Sequence, residues 1–105
     1  MPGGVGESFS GSIDRDAIRR VVEQNLKTIK ACYERELNRN PDLAGKVLLE
    51  WDIAEQGRVV GTRVNQGAPG FERVSECVLD RLKTWRFPEP PSNQSVTVVY
   101  PFVFE

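Results

Sequence analysis

The chain has 105 residues, 39% apolar and 28% charged, which allows one domain around one core and excludes long disorder. Fourteen basic residues against fifteen acidic ones leave a net charge of −1, so no bulk attraction to nucleic acid or an anionic membrane is built in. With no histidine, Ser-His-Asp and Cys-His nucleophile pairs are excluded, and two cysteines are too few for a zinc site unless carboxylates complete it. The chain therefore reads as a non-enzyme, with no catalytic residue, metal or cofactor assigned.

Residues 1–12 hold four glycines and three serines without an apolar period, which predicts a flexible linker. No apolar run approaches the roughly 20 residues of a membrane span, so the chain as given is expected to be soluble. From Asp14 onward, Ile18, Val21, Val22, Leu26, Ile29, Tyr33 and Leu37 recur at helical steps. They predict one long helix, capped by Asp14 or Ser12 and ended at Asn40-Pro41. Its other face mixes Arg15, Arg19, Lys27 and Lys30 with Glu23 and Glu34, as a solvated surface does.

After Gly45 the period becomes two: Val47, Leu49, Trp51 and Ile53 point inward, while Leu48, Glu50 and Asp52 point outward. A turn at Ala54-Glu55-Gln56-Gly57 leads into a second strand over residues 58–65, with Val60, Thr62 and Val64 as its expected inward set. Phe71, Val74, Cys77, Val78, Leu82 and Trp85 then give a second helix, stopped by the prolines that follow Phe87. Residues 96–104 alternate again and end the chain in an aromatic strand. Pro101 lacks an amide proton, which predicts an edge position for that strand.

The expected fold class is α+β: a two-layer sandwich of order αββαβ, with a three-stranded antiparallel sheet and two helices on one face. Residues 13–105 form that domain. Cys32 and Cys77 each fall on or beside the apolar stripe of a helix, and both helices should cover the same sheet face. A disulfide between them would stabilise a thin core by roughly 4 kcal/mol and place the domain in an oxidising compartment. The competing reading is two free thiols serving as small hydrophobes.

Gly45-Lys46-Val47, Asp52-Ile53, Gly57-Arg58-Val59, Arg63-Val64, Trp85-Arg86-Phe87-Pro88-Glu89-Pro90 and the closing Val99-Tyr100-Pro101-Phe102-Val103-Phe104 resemble the C-terminal domain of TonB. The resemblance is nearer to the variant in AgmX/PglI-type proteins of myxobacteria, where a helix carrying Cys-Tyr-Glu-Arg-Glu-Leu, here residues 32–37, precedes the hairpin. It covers about residues 12–105. It implies an adaptor of an energy-coupling or gliding-motility envelope complex. Such a domain works in the periplasm, on a parent chain anchored in the inner membrane, and grips an extended segment of a periplasmic or outer-membrane protein.

The residues themselves suggest how such a grip would form. An edge strand offers unpaired amides and carbonyls to an incoming peptide, and the last strand is the expected edge. The candidate partner-binding residues are Val96, Thr97, Val98, Val99, Tyr100, Pro101, Phe102 and Val103, with Thr97, Val99, Val103 and Leu48 forming an apolar open face. A homodimer through the same edge is a compatible alternative. Two other readings compete with this one. Gly67-Ala68-Pro69-Gly70 matches the GxxG loop of KH-type nucleic-acid-binding domains, although a strand rather than a helix precedes it. A carboxylate enzyme would need Glu50 or Asp52 beside a second acid in a cleft.

Overall fold

A computed structural model of the chain describes residues 6–11, 13–91 and 94–105. In chain order the elements are β1 (Ser8–Ser10), α1 (Arg15–Gln24), α2 (Leu26–Leu37), β2 (Gly45–Ile53), β3 (Val59–Gln66), α3 (Glu72–Leu82) and β4 (Val96–Phe104). A short 3-10 turn over Glu55–Gly57 joins β2 to β3. All strand pairs are antiparallel, and the sheet order is β1-β4-β2-β3.

The α+β class is as expected, but the expected αββαβ order, three strands and two helices are corrected to four strands and three helices. Two local causes account for the difference. The segment expected as linker contributes β1, because Phe9 alternates with Ser8 and Ser10 and is half-buried against the core. The long first helix divides at Asn25 (φ −109°, ψ 13°), whose side chain donates to the Val21 carbonyl at 2.8 Å. Both halves keep the apolar stripe the sequence shows. Of the two cap candidates, Asp14 accepts from the amides of Asp16 and Ala17 at 3.0 and 3.2 Å, while Ser12 lies outside the described residues.

The inward residues of β2 and β4 form the floor of the core. Val47, Leu49, Trp51, Ile53, Val96, Val98, Tyr100, Phe102 and Phe104 are all buried, together with Ile18, Val22, Ile29, Tyr33, Val74, Val78 and Leu82 from the three helices. All three helices therefore lie on one face. The aromatic end of the floor is knit by ring contacts, with Phe104 4.9 Å from Tyr33 and 5.7 Å from Phe71 between centroids. The Tyr33 hydroxyl donates to the Leu43 carbonyl, which closes the loop between α2 and β2.

A backbone contact fixes where β3 begins. The Phe87 amide donates to the Gly57 carbonyl at 3.0 Å, and Arg58 bridges Arg86 as an isolated antiparallel pair. Gly57 has φ +72°, and a Cβ there would lie 1.8 Å from the Phe87 carbonyl oxygen. Only glycine fits both the dihedral and the approach. Gly57→Ala is expected to lower stability by about 2 to 3 kcal/mol, read as a shifted midpoint of urea denaturation. An unchanged midpoint would mean that the Gly57–Phe87 contact does not hold in solution.

Candidate functional site

The C-terminal strand is not the rim of the sheet. β4 pairs with β2 along its whole length, from Gly45↔Phe104 to Ile53↔Val96, and with β1 at residues 97–99. The edge placement expected for Val96, Thr97, Val98, Val99, Tyr100, Pro101, Phe102 and Val103 is therefore corrected. Pro101 shows why the inference failed. The Thr97 amide points toward β1, donating to Ser10 Oγ at 3.1 Å, and along a regular strand the amides of residues 99 and 101 point the same way. The proline ring thus removes no donor from the β2 ladder, and among the described residues the last β1 pair is Ser8↔Val99, two residues before it. Pro101 therefore sits within an inner strand with its missing donor facing away from β2.

β1 is held from the helix side. Arg19 donates to Glu7 through Nε at 3.0 Å and Nη2 at 2.8 Å, and its Nη1 reaches Asp16 at 2.7 Å. The guanidinium groups of Arg15 and Arg19 lie 5.5 and 5.9 Å from the centre of the Phe9 ring. Burial, reinforced by the neighbouring Glu7 carboxylate, pushes the Tyr100 phenol up to about 12.

The exposed edge is β3. Among the described residues it has a strand neighbour on one side only. Its expected inward set is corrected at Val60, whose place opposite Ile53 is taken by Val59, while Thr62 and Val64 lie opposite the buried Trp51 and Leu49; Val60 is 56% and Val64 46% exposed, and they are the exposed large hydrophobic residues of the described chain. Val60 is the extra residue of a bulge, between the pairs Ile53↔Val59 and Asp52↔Gly61. Val64 lies opposite the buried Leu49 and so faces the helix layer, which stops short of it. Val64 instead borders a cleft of about 510 Å³ that Ala68, Pro69, Phe71 and Ser75 also line. Regular alternation could not reveal the bulge, and periodicity does not say how far a helix layer extends.

The far face of the sheet is divided. At one end Arg63 donates to Glu50 Oε2 at 2.6 Å and to both Asp52 oxygens at 3.0 and 3.1 Å. Asn65 adds a 2.8 Å bond to Glu50, and Thr97 a 2.7 Å bond to Asp52. The Asn65 and Arg63 bonds hold the Glu50 carboxyl below its ordinary value, and Arg63 with Thr97 does the same for Asp52 against the opposing effect of burial. The expected apolar face of Leu48, Thr97, Val99 and Val103 is half-buried, and Gly6 lies against Leu48 and Pro101.

Cys32 and Cys77 form a disulfide linking α2 to α3, with a sequence separation of 45 and Cα atoms 5.8 Å apart. A structural disulfide persists in oxidising surroundings, which points to a location outside the reducing cytoplasm. The GxxG segment at residues 67–70 is a strand-to-helix turn between β3 and α3, closed by the Phe71 amide bonding to the Ala68 carbonyl at 3.1 Å. Glu50 and Asp52 sit on the open sheet face tied to Arg63 rather than beside each other in a cleft. Among the described residues no group of three or more His, Cys, Asp or Glu side chains could hold a metal ion.

The chain is similar to the tyrosine-protein kinase MasK of Myxococcus xanthus (strain DK1622), with 38% identity over 88 residues. That match covers 83% of this chain but 13% of the relative, so the chain spans a small part of that protein's length. No family model matches the chain. No solved structure matches it significantly.

Two outcomes are expected here. Replacing both cysteines by alanine should lower stability by roughly 4 kcal/mol, measured by denaturant unfolding beside the oxidised parent; a change below about 1 kcal/mol would contradict the bridge. Arg63→Met should lower the melting temperature at neutral pH. Carboxylates with depressed folded-state values contribute stability above their ordinary values, 4.5 for Glu50 and 3.8 for Asp52, and lose it as pH falls further. The gap between variant and parent should therefore close in acid, and a gap constant with pH would exclude the network as its source.

Proposed function

We propose that this domain is a non-catalytic protein-interaction module of a cell-envelope complex that receives an extended partner peptide by strand addition to β3. The observation that carries the reading is the coincidence of two features on one element. β3 is an edge strand, and the exposed Val60 and Val64 both belong to it. Natural proteins protect such edges, so an edge of eight residues with apolar side chains fits a contact surface. Main-chain bonds would supply affinity. The cleft beside Val64 is a receptacle for an alternate side chain of the added strand, which would supply selectivity.

The oxidising location supports a periplasmic setting, and so does the resemblance to TonB-type C-terminal domains. That resemblance, with the similarity to a myxobacterial protein, supports an energy-coupling or gliding-motility complex whose parent chain is anchored in the inner membrane. The kinase activity in the relative's name belongs to that protein, of which this chain matches 13%. We assign no phosphoryl transfer to these residues: the chain has no histidine from which to build the His-Arg-Asp catalytic loop of protein kinases.

The test is amide-resolved NMR with segments of envelope proteins as titrants. Shift changes concentrated on Val59–Gln66 are expected, and Val64→Asp should weaken binding about tenfold by placing a charge where apolar burial is needed. Changes centred on residues 100–104 with β3 silent would refute the assignment. Concentration-dependent sedimentation abolished by Val64→Asp would assign the same edge to a second copy of this chain instead.

A further inference from the structure

A groove of about 720 Å³ runs between α2 and the end of α3, a volume suited to a bound ligand or peptide side chains. Lys27, Arg35, Arg81 and Arg86 line it, and no carboxylate does. Among the described residues these four cations make no ion pair, whereas Arg19, Arg20, Arg39, Arg63 and Arg73 each meet an acid within 4.0 Å. In a chain with one more acid than base, a groove of unmatched cations is a local charge separation, not a consequence of composition.

A second, independent observation adjoins it. Arg86 bridges Arg58 as a directly opposed antiparallel pair, and neither has an acidic partner among the described residues. Like charges directly opposite each other oppose pairing, and an anion between two guanidinium forks reverses that sign. This bridge sits where the outer edge of β3 begins, so a strand added to β3 would meet Arg86 on leaving the ladder. On the far side of the disulfide the neighbouring cleft is of mixed charge, lined by Glu36, Glu76 and Asp80 together with Arg35, Arg39, Arg73 and Arg81, so the stretch without carboxylates ends there.

We propose that the groove binds an acidic run of the partner peptide, adjacent to the segment that pairs with β3. The inference rests on the strand-addition reading and adds the partner's charge to it. Peptide is favoured over nucleic acid because the one aromatic residue lining the groove, Trp85, is 7% exposed and offers no stacking platform.

The test uses the whole chain and synthetic peptides of alternating valine and threonine that carry a run of glutamates at either end, with glutamine versions as controls. Both versions should shift the amides of β3. The glutamate version should also shift Lys27, Arg35, Arg81 and Arg86 and bind about tenfold tighter at physiological salt, an advantage lost in R35E/R81E. That variant alters exposed side chains, and unchanged β3 shifts with the glutamine peptide would show that it is folded. Equal affinity of the two versions with β3 shifts present would overturn the acidic-run proposal and leave strand addition standing. Groove shifts with β3 silent would uphold the groove and refute strand addition. Tighter binding of inorganic pyrophosphate, or of a short oligonucleotide, to the same four residues would overturn the proposal in favour of a general anion site.

Discussion

The antiparallel ladder between β2 and β4 is the constraint on which the other features depend. It runs without interruption from Gly45↔Phe104 to Ile53↔Val96, and its strict alternation sends one apolar or aromatic side chain inward at every second position of each strand. A shift of one residue would expose that whole set, so the register is strongly fixed. The helices then have a single surface to cover. The disulfide joins two of them over that surface in a small domain whose core leaves little margin against chain entropy.

Because β2 and β4 are the inner strands, contact chemistry is displaced to what lies beside them, and the two sides differ. On the β4 side, β1 pairs with residues 97–99, and it is fastened by Glu7 and Phe9 to the arginines of α1. On the β2 side, β3 starts under the Gly57–Phe87 contact, bulges at Val60 and projects beyond the helix layer at Val64. The bulge and the short reach of the helices leave apolar surface on this edge. The Arg63 network meanwhile neutralises the carboxylates on the far face of the same strands.

What the sequence made legible follows from the range of each signal. The inward sets of β2 and β4 were readable because period two persists over nine residues in each strand. The cysteine pairing was readable because each thiol falls on or beside an apolar stripe and both stripes need the same sheet. β1 is three residues long, below the length at which alternation separates from chance, and only Phe9 among glycines and serines marked it. Pro101 was read correctly as a missing donor, yet the inference from one residue to the whole strand failed because the missing donor faces away from the β2 ladder, which continues past it. The basic groove was invisible in chain order: Lys27 and Arg35 come from α2, Arg81 from α3 and Arg86 from the segment after it, and on α2 Glu34 between the first two made the face look mixed.

The disulfide links location to charge. Cys32 lines both the basic groove and the mixed-charge cleft beside it, so the bridge to Cys77 lies where cations without carboxylates give way to cations among carboxylates. At physiological ionic strength screening acts over about 8 Å, and neighbouring patches of different charge keep their character only while the elements carrying them hold their spacing. A covalent tie between α2 and α3 fixes that spacing more firmly than the packing of half-exposed helix surfaces. Oxidation of the two thiols therefore stabilises the core and also keeps four cations together beside the open edge of β3, so that a partner meets a prearranged charge pattern and a prearranged strand template together.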